Sequence, residues 1–191
     1  MKSRILLVAL LWGALAVPVF GAEERQAPAE ELPTVPLMDV LKAVSKKTGH
    51  LFVVDRSVDA EVVVGQFEPG RLDYSTLLVV LRNNNMAAVK YDDVISIVNV
   101  ATIRQYPLPV LYEKDESIDD EEWVTMVIEV QNAEATMFVP ILRPMLPQPG
   151  HMVAHSDSNT LTIVDRYGNV ERVLELIRKL DYLTTQQKQP Q

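Results

Sequence analysis

An acidic run near the middle of the chain sets the strongest limit on how this sequence folds. The ten residues from Glu113 to Glu122 hold seven carboxylates and one base, Lys114, a net charge of −6. Such a run repels itself and cannot bury apolar surface, so it predicts an extended, solvated linker over residues 105–122. A docking strip for a basic partner is the functional alternative to a plain spacer. Two small domains are therefore predicted, one on each side of the linker.

The amino terminus has the pattern of a secretory signal peptide. Two bases precede an apolar run from Ile5 to Phe20. This run is shorter than the roughly 20 residues that cross a bilayer. We therefore predict that residues 1–22 form a signal peptide, cleaved after Gly21 or Ala22, and that the mature protein is exported. An uncleaved anchor is the alternative.

The first predicted domain, residues 33–104, reads as helix, strand, strand, helix, strand, strand. Apolar residues recur at helical spacing over residues 36–48, and Asp73 is placed to cap a second helix that ends near residue 83. Short apolar runs bounded by turn formers predict strands at 51–54, 61–64, 87–91 and 94–98.

The second predicted domain, residues 123–183, reads as strand, helix, strand, strand, helix. Its elements are a strand at 123–130, a helix at 133–145 kinked by Pro140, a hairpin at 152–164 and a helix at 167–180. A polar tail, residues 184–191, is predicted to be disordered. Together the two halves predict an α+β protein.

No pattern in the sequence indicates catalysis, a metal or a cofactor. The chain has no cysteine and three histidines, and it contains no nucleophile elbow, phosphate-binding loop or zinc pair on a helix. His151 and His155 share a predicted strand, where four residues span about 13 Å, too far for one zinc ion. A net charge of −8 disfavours nucleic acid. Protein partners remain the expected ligands, with no small-molecule substrate.

Several spaced segments carry a resemblance to a known family. The first domain resembles the first amino-terminal domain of secretins, a fold shared with the signalling domain of TonB-dependent receptors, through 35–41, 46–49, 52–55 and 62–64. The second domain is similar to the second, KH-like secretin domain (βαββα) through 127–135, 142–147, 159–165 and 169–181.

This resemblance implies a function in type II protein secretion. In secretins these domains lie in the periplasm below an outer-membrane pore, where the first contacts other components or cargo and the second packs in a ring. Because the sequence has no pore segment before Gln191, we expect an accessory module that acts through proteins of the secretion machinery. The specific partner is left open between a secretin and a second copy of the chain. Through a secretin complex the protein would be associated with the outer membrane. A periplasmic signalling domain is the alternative function.

The predicted route to partner binding is pairing at a sheet edge, where unpaired main-chain groups accept a neighbour's strand. The candidate edge is the short β-branched segment Glu61, Val62, Val63 and Val64. A central, fully paired strand is the alternative reading of the same residues.

Overall fold

The computed structural model describes residues 33–64 and 68–188, which form a mixed helix and strand fold. This confirms the predicted α+β class. The predicted signal peptide, residues 1–22, lies outside the described residues.

Two helices of the first half form where the sequence predicts them. Helix α1 (Leu37–Thr48) ends at Gly49, whose φ of 79° is the left-handed conformation that glycine adopts without strain. Helix α2 (Tyr74–Asn83) begins after Asp73, whose carboxylate accepts the Thr76 N–H at 2.9 Å. The apolar faces of both helices are buried in one hydrophobic cluster.

The first half also contains five strands, which are β1 (Thr34–Pro36), β2 (Leu51–Val54), β3 (Glu61–Val63), β4 (Met86–Tyr91) and β5 (Val94–Asn99). The short pair β1 and β3 is antiparallel. In the second sheet β5 is central, parallel to β2 and antiparallel to β4. All four predicted strands of this half are confirmed, while β1 is too short and too close to a proline to be predicted.

The second half holds a four-stranded sheet in the order β6-β7-β9-β8. Its strands are β6 (Val110–Leu111), β7 (Trp123–Glu129), β8 (His151–His155) and β9 (Thr160–Arg166). Strands β7, β9 and β8 are antiparallel neighbours, and β6 adds to β7 in parallel. One face of this sheet packs in a second hydrophobic cluster with the last helix.

The helices of the second half differ from the prediction in length. Helix α3 (Phe138–Leu142) is short and is flanked by 3₁₀ turns at 135–137 and 143–145, because the two prolines of this segment cannot donate helical hydrogen bonds. Helix α4 (Tyr167–Lys188) continues past its predicted end. The prediction of disorder is therefore wrong for residues 184–188, where the Thr184 hydroxyl donates to the Leu180 carbonyl.

The predicted solvated linker fits only part of the acidic segment, because residues 112–117 are exposed but the last two acids pack against both halves. Its Glu121 carboxylate lies 2.6 Å from Arg82 and 3.2 Å from Arg166, so it joins bases from both halves. Glu122 lies 2.5 Å from Lys90. The prediction from the local charge did not include these bases, because they are distant in sequence and contact the acids only in the folded chain.

A third hydrophobic cluster joins the two halves. Trp123, at the start of β7, is 3% exposed and packs with Ala87, Val89 and Val98 on the face of the first sheet that α1 and α2 leave free. Ile103 and the other apolar residues after β5 complete this cluster. Each half therefore has a hydrophobic core of its own, and the third cluster connects the two cores by direct packing.

Candidate functional site

The outer edge of β7 is only partly covered, and this edge is the candidate site. Strand β7 is paired along its whole length with β9 on one side. On its other side β6 reaches only Thr125 and Met126. The last part of β7, from Val127 to Glu129, therefore has no strand on the β6 side within the described ranges.

The main chain of β7 fixes which groups point to this open edge. The Thr125 N–H donates to the Pro109 carbonyl at 2.8 Å, so the main-chain groups of Thr125 face β6. Because these groups alternate between the two sides of a strand, those of Val127 and Glu129 face the same way. The N–H and C=O of Glu129 lie beyond the last β6 contact and are available to a further strand.

A groove of about 630 Å³ runs along this open edge, between β7 and α4. Its floor is apolar and comprises Met126, Ile128, Leu174 and Ile177. Its rim carries Tyr112, which is 77% exposed. The volume lies within the range of about 300–1,000 Å³ typical of binding pockets. An apolar floor beside unpaired main-chain groups is the arrangement that accepts an extended peptide.

Asp181 of α4 closes one end of the groove. Its carboxylate accepts main-chain N–H bonds from Gln131, Asn132 and Ala133 at 2.7–3.1 Å. Burial raises the pKa of Asp181, but these N–H donors together outweigh burial and hold its pKa below the usual value. The ionised carboxylate therefore fixes the chain that follows β7 to the last helix.

Asn159 holds the other side of the same segment. It adopts φ of 50°, and its amide donates to the carbonyls of Val130 and Ala133 while its oxygen accepts the Ala135 N–H. The segments 127–135, 159–165 and 169–181, which carry the family resemblance of this half, therefore meet in one hydrogen-bond network. Their shared residues build the fold around the groove.

The predicted partner edge lies elsewhere, in the first half. Val62 is fully buried and packs in the first core, and Val64 is partly buried against it. The side-chain amide of Asn84 binds both main-chain groups of Val63, at 2.8 and 3.2 Å. Glu61 and Val63 keep exposed side chains. Partner binding by Glu61–Val64 stays a prediction, and the main chain of Val63 is already occupied.

His155, considered above as a zinc ligand, and Arg143, within the family-like segment 142–147, both have structural contacts. His155 lies beside the Thr162 hydroxyl on the neighbouring strand, at 3.3 Å. Arg143 donates to the Gly150 carbonyl at 3.0 Å and so ties down the loop before β8. Residues 33–64 and 68–188 contain no cluster of three or more histidines and acids that would hold a metal ion.

Sequence reasoning missed the open edge because it depends on β6. A two-residue strand gives no periodicity, and it lies inside the segment predicted to be a linker. The exposed aromatic Tyr112 beside the apolar pair Val110–Leu111 was the available signal.

Comparisons with known proteins agree with this architecture. The family described as "Bacterial type II/III secretion system short domain" matches residues 125–182, the second half almost entirely. The secretin XcpQ of Pseudomonas aeruginosa is 31% identical over 147 residues, which are 76% of this chain and 21% of that protein. This chain is related to the amino-terminal domains of secretins.

A second secretin extends the match across both halves. The secretin GspD 2 of Escherichia coli O78:H11 is 27% identical over 186 residues, 95% of this chain and 27% of that protein. The chain thus spans about a fifth to a quarter of the length of these curated relatives, and it matches their amino-terminal domains.

A solved secretin complex shares the fold. The Klebsiella pneumoniae type II secretion system outer membrane complex, with PulD, PulS and the PulC HR domain, matches with a TM-score of 0.65. The identity is 22%, and the match covers 80% of this chain and 26% of that one. In the part of the chain that the structure describes, no helix has the length and apolarity to cross a membrane.

Proposed function

We propose that this chain is a protein-binding module of a type II secretion system and that it works in the periplasm. Its relationship to secretin amino-terminal domains carries this proposal. A partly open sheet edge beside an apolar groove fits the binding of a partner's strand.

A complex of similar fold suggests which partners to expect. PulD of that complex is found with PulS and with the HR domain of PulC. We expect the corresponding proteins of its own secretion system, or a full-length secretin, to bind this chain. The accessory role and the association with the outer membrane belong to the same proposal.

Affinity capture tests this function. The full chain is used as bait in an envelope extract of a bacterium that carries a type II secretion system, and bound proteins are identified by mass spectrometry. A matched bait with Leu161→Asp, which places a charge at a fully buried position, controls for adhesion to unfolded chain. Enrichment of secretin or PulC-type proteins on the native bait alone supports the function, and equal recovery on both baits contradicts it.

A further inference from the structure

We propose that the open edge of β7 takes up an extended segment of a protein partner as an added strand. The segment would carry apolar residues toward α4 and a basic residue beside Glu129. This inference rests on the proposed function and specifies the surface and the chemistry of the partner.

The alternation of side chains along β7 sets the pattern of the added strand. Met126 and Ile128 are buried on the α4 side, whereas Val127 is partly exposed and Glu129 is exposed on the opposite face. A strand laid beside β7 has the same two faces. Its residues on one side meet the apolar groove floor, and those on the other side lie beside Val127 and Glu129.

The main chain supplies the attachment. Beyond β6, the Glu129 N–H and C=O point to the open edge, and no hydrogen bond engages them within the described part of the chain. Unpaired strand groups of this kind bind an added strand through a regular hydrogen-bond ladder. The ladder is short, so the apolar floor must contribute much of the affinity.

The charged side chains around the groove determine on which face of the added strand a basic residue is favourable. Neither Glu129 nor Arg178 has an ion-pair partner in residues 33–64 and 68–188. Arg178 and Asp181 both line the groove from α4, and because their charges are opposite, that side carries no net charge to attract a base. A base beside Glu129 is attracted, and the chain's net charge of −8 steers basic partners toward it.

Defined peptides serve as probes of this groove. The first peptide alternates valine and lysine over eight residues, the second alternates valine and glutamate, and the third is the first with its lysines replaced by proline, which removes alternate N–H donors. Each is titrated into the full chain, with affinity measured by calorimetry and amide exchange of Glu129 measured by NMR. We expect the valine–lysine peptide to slow Glu129 exchange at least about tenfold and to bind at least about tenfold more tightly than the other two peptides.

Variants of Glu129 separate the main-chain and charge contributions. Glu129→Pro removes the N–H that faces the open edge and should abolish binding. Glu129→Lys keeps the N–H and should reverse the preference toward the valine–glutamate peptide, so it remains informative if the proline variant fails to fold. Glu134→Lys makes the same charge change at an exposed position outside the groove and should bind like the native chain.

Two results would overturn the assignment of this groove. One is the absence of binding by the valine–lysine peptide to the native chain. The other is binding that leaves Glu129 exchange unchanged and is equal in the Glu129→Lys variant. Either result leaves the proposed function standing if secretion proteins are still captured by the native bait, because that experiment does not depend on where the partner binds.

Discussion

Asp181 is the residue on which the closed end of the groove depends most. The residue is 8% exposed, and its carboxylate serves three consecutive main-chain donors from a separate segment. Asp181→Ala leaves these N–H groups without an acceptor, so we expect a loss of about 1–3 kcal/mol in the free energy of unfolding. Urea denaturation measures the change, and an unchanged midpoint would contradict the account.

The same residue makes a prediction about pH. Because the pKa of Asp181 is lower in the folded state, its stabilising effect is present above the unfolded pKa of about 3.9 and is lost as pH falls through the folded pKa. The stability difference between the native chain and Asp181→Asn should therefore be largest near neutral pH and shrink in acid. Denaturation curves recorded from pH 7 to pH 3 test this, and a difference that grows in acid would contradict it.

Asn159 combines a backbone and a side-chain role, and two substitutions separate them. Asn159→Gly keeps the left-handed backbone without strain but loses the three side-chain hydrogen bonds, whereas Asn159→Ala loses both. We expect the glycine variant to lose about 1–3 kcal/mol and the alanine variant about 1 kcal/mol more. Thermal denaturation of both variants tests this, and an alanine variant more stable than the glycine variant would contradict it.

At the scale of elements, the sequence predicts those helices and strands whose signals lie within the element itself. Helices α1 and α2 and strands β2 to β5 follow from their periodicity and caps, because both signals lie within the element. Strand β6 depends on a partner in β7. The 3₁₀ turns around α3 follow from Pro140 and Pro144, for which the sequence predicts only a kink. The candidate edge at β3 could not be judged from local sequence either. The Asn84 side chain that hydrogen-bonds to the Val63 main chain lies far along the chain.

The length of α4 gives a prediction at this scale. The polar sequence after Leu183 predicts disorder, but α4 continues to Lys188. The side chains of Thr184 and Gln186 donate to the Leu180 carbonyl and the Tyr182 hydroxyl, each one turn earlier. We expect Cα chemical shifts of residues 184–188 to be helical in the full chain. Random-coil chemical shifts over this range would show that residues 184–188 are disordered and would contradict the extended helix.

At the scale of the whole molecule, the acidic segment fastens the two halves. Glu121 has a side chain 17% exposed and joins Arg82 of α2 to Arg166 of β9, while Trp123 fills the shared core. Glu121 and Glu122, the last two acids of the segment, are thus paired with bases of both halves. The acids predicted a boundary between two domains, and in the structure they lie at their junction.

Removing the central carboxylate tests this junction. Glu121→Gln leaves Arg166, whose side chain is 15% exposed, without its acid, so we expect a loss of about 1–3 kcal/mol. Asp39→Asn breaks an exposed pair with Lys42 and should change stability by less than about 0.5 kcal/mol. Equal effects of the two variants on the free energy of unfolding would show that the segment is a solvated spacer.

We propose above that this secretin-related module binds a protein through the open edge of β7. The most direct measurement is the structure of the full chain in complex with a secretion-system protein that it captures. We expect a partner strand beside Val127 to Glu129, with main-chain hydrogen bonds to Glu129 and apolar side chains in the groove. A complex in which the partner contacts another surface and Glu129 stays exposed to solvent would contradict it.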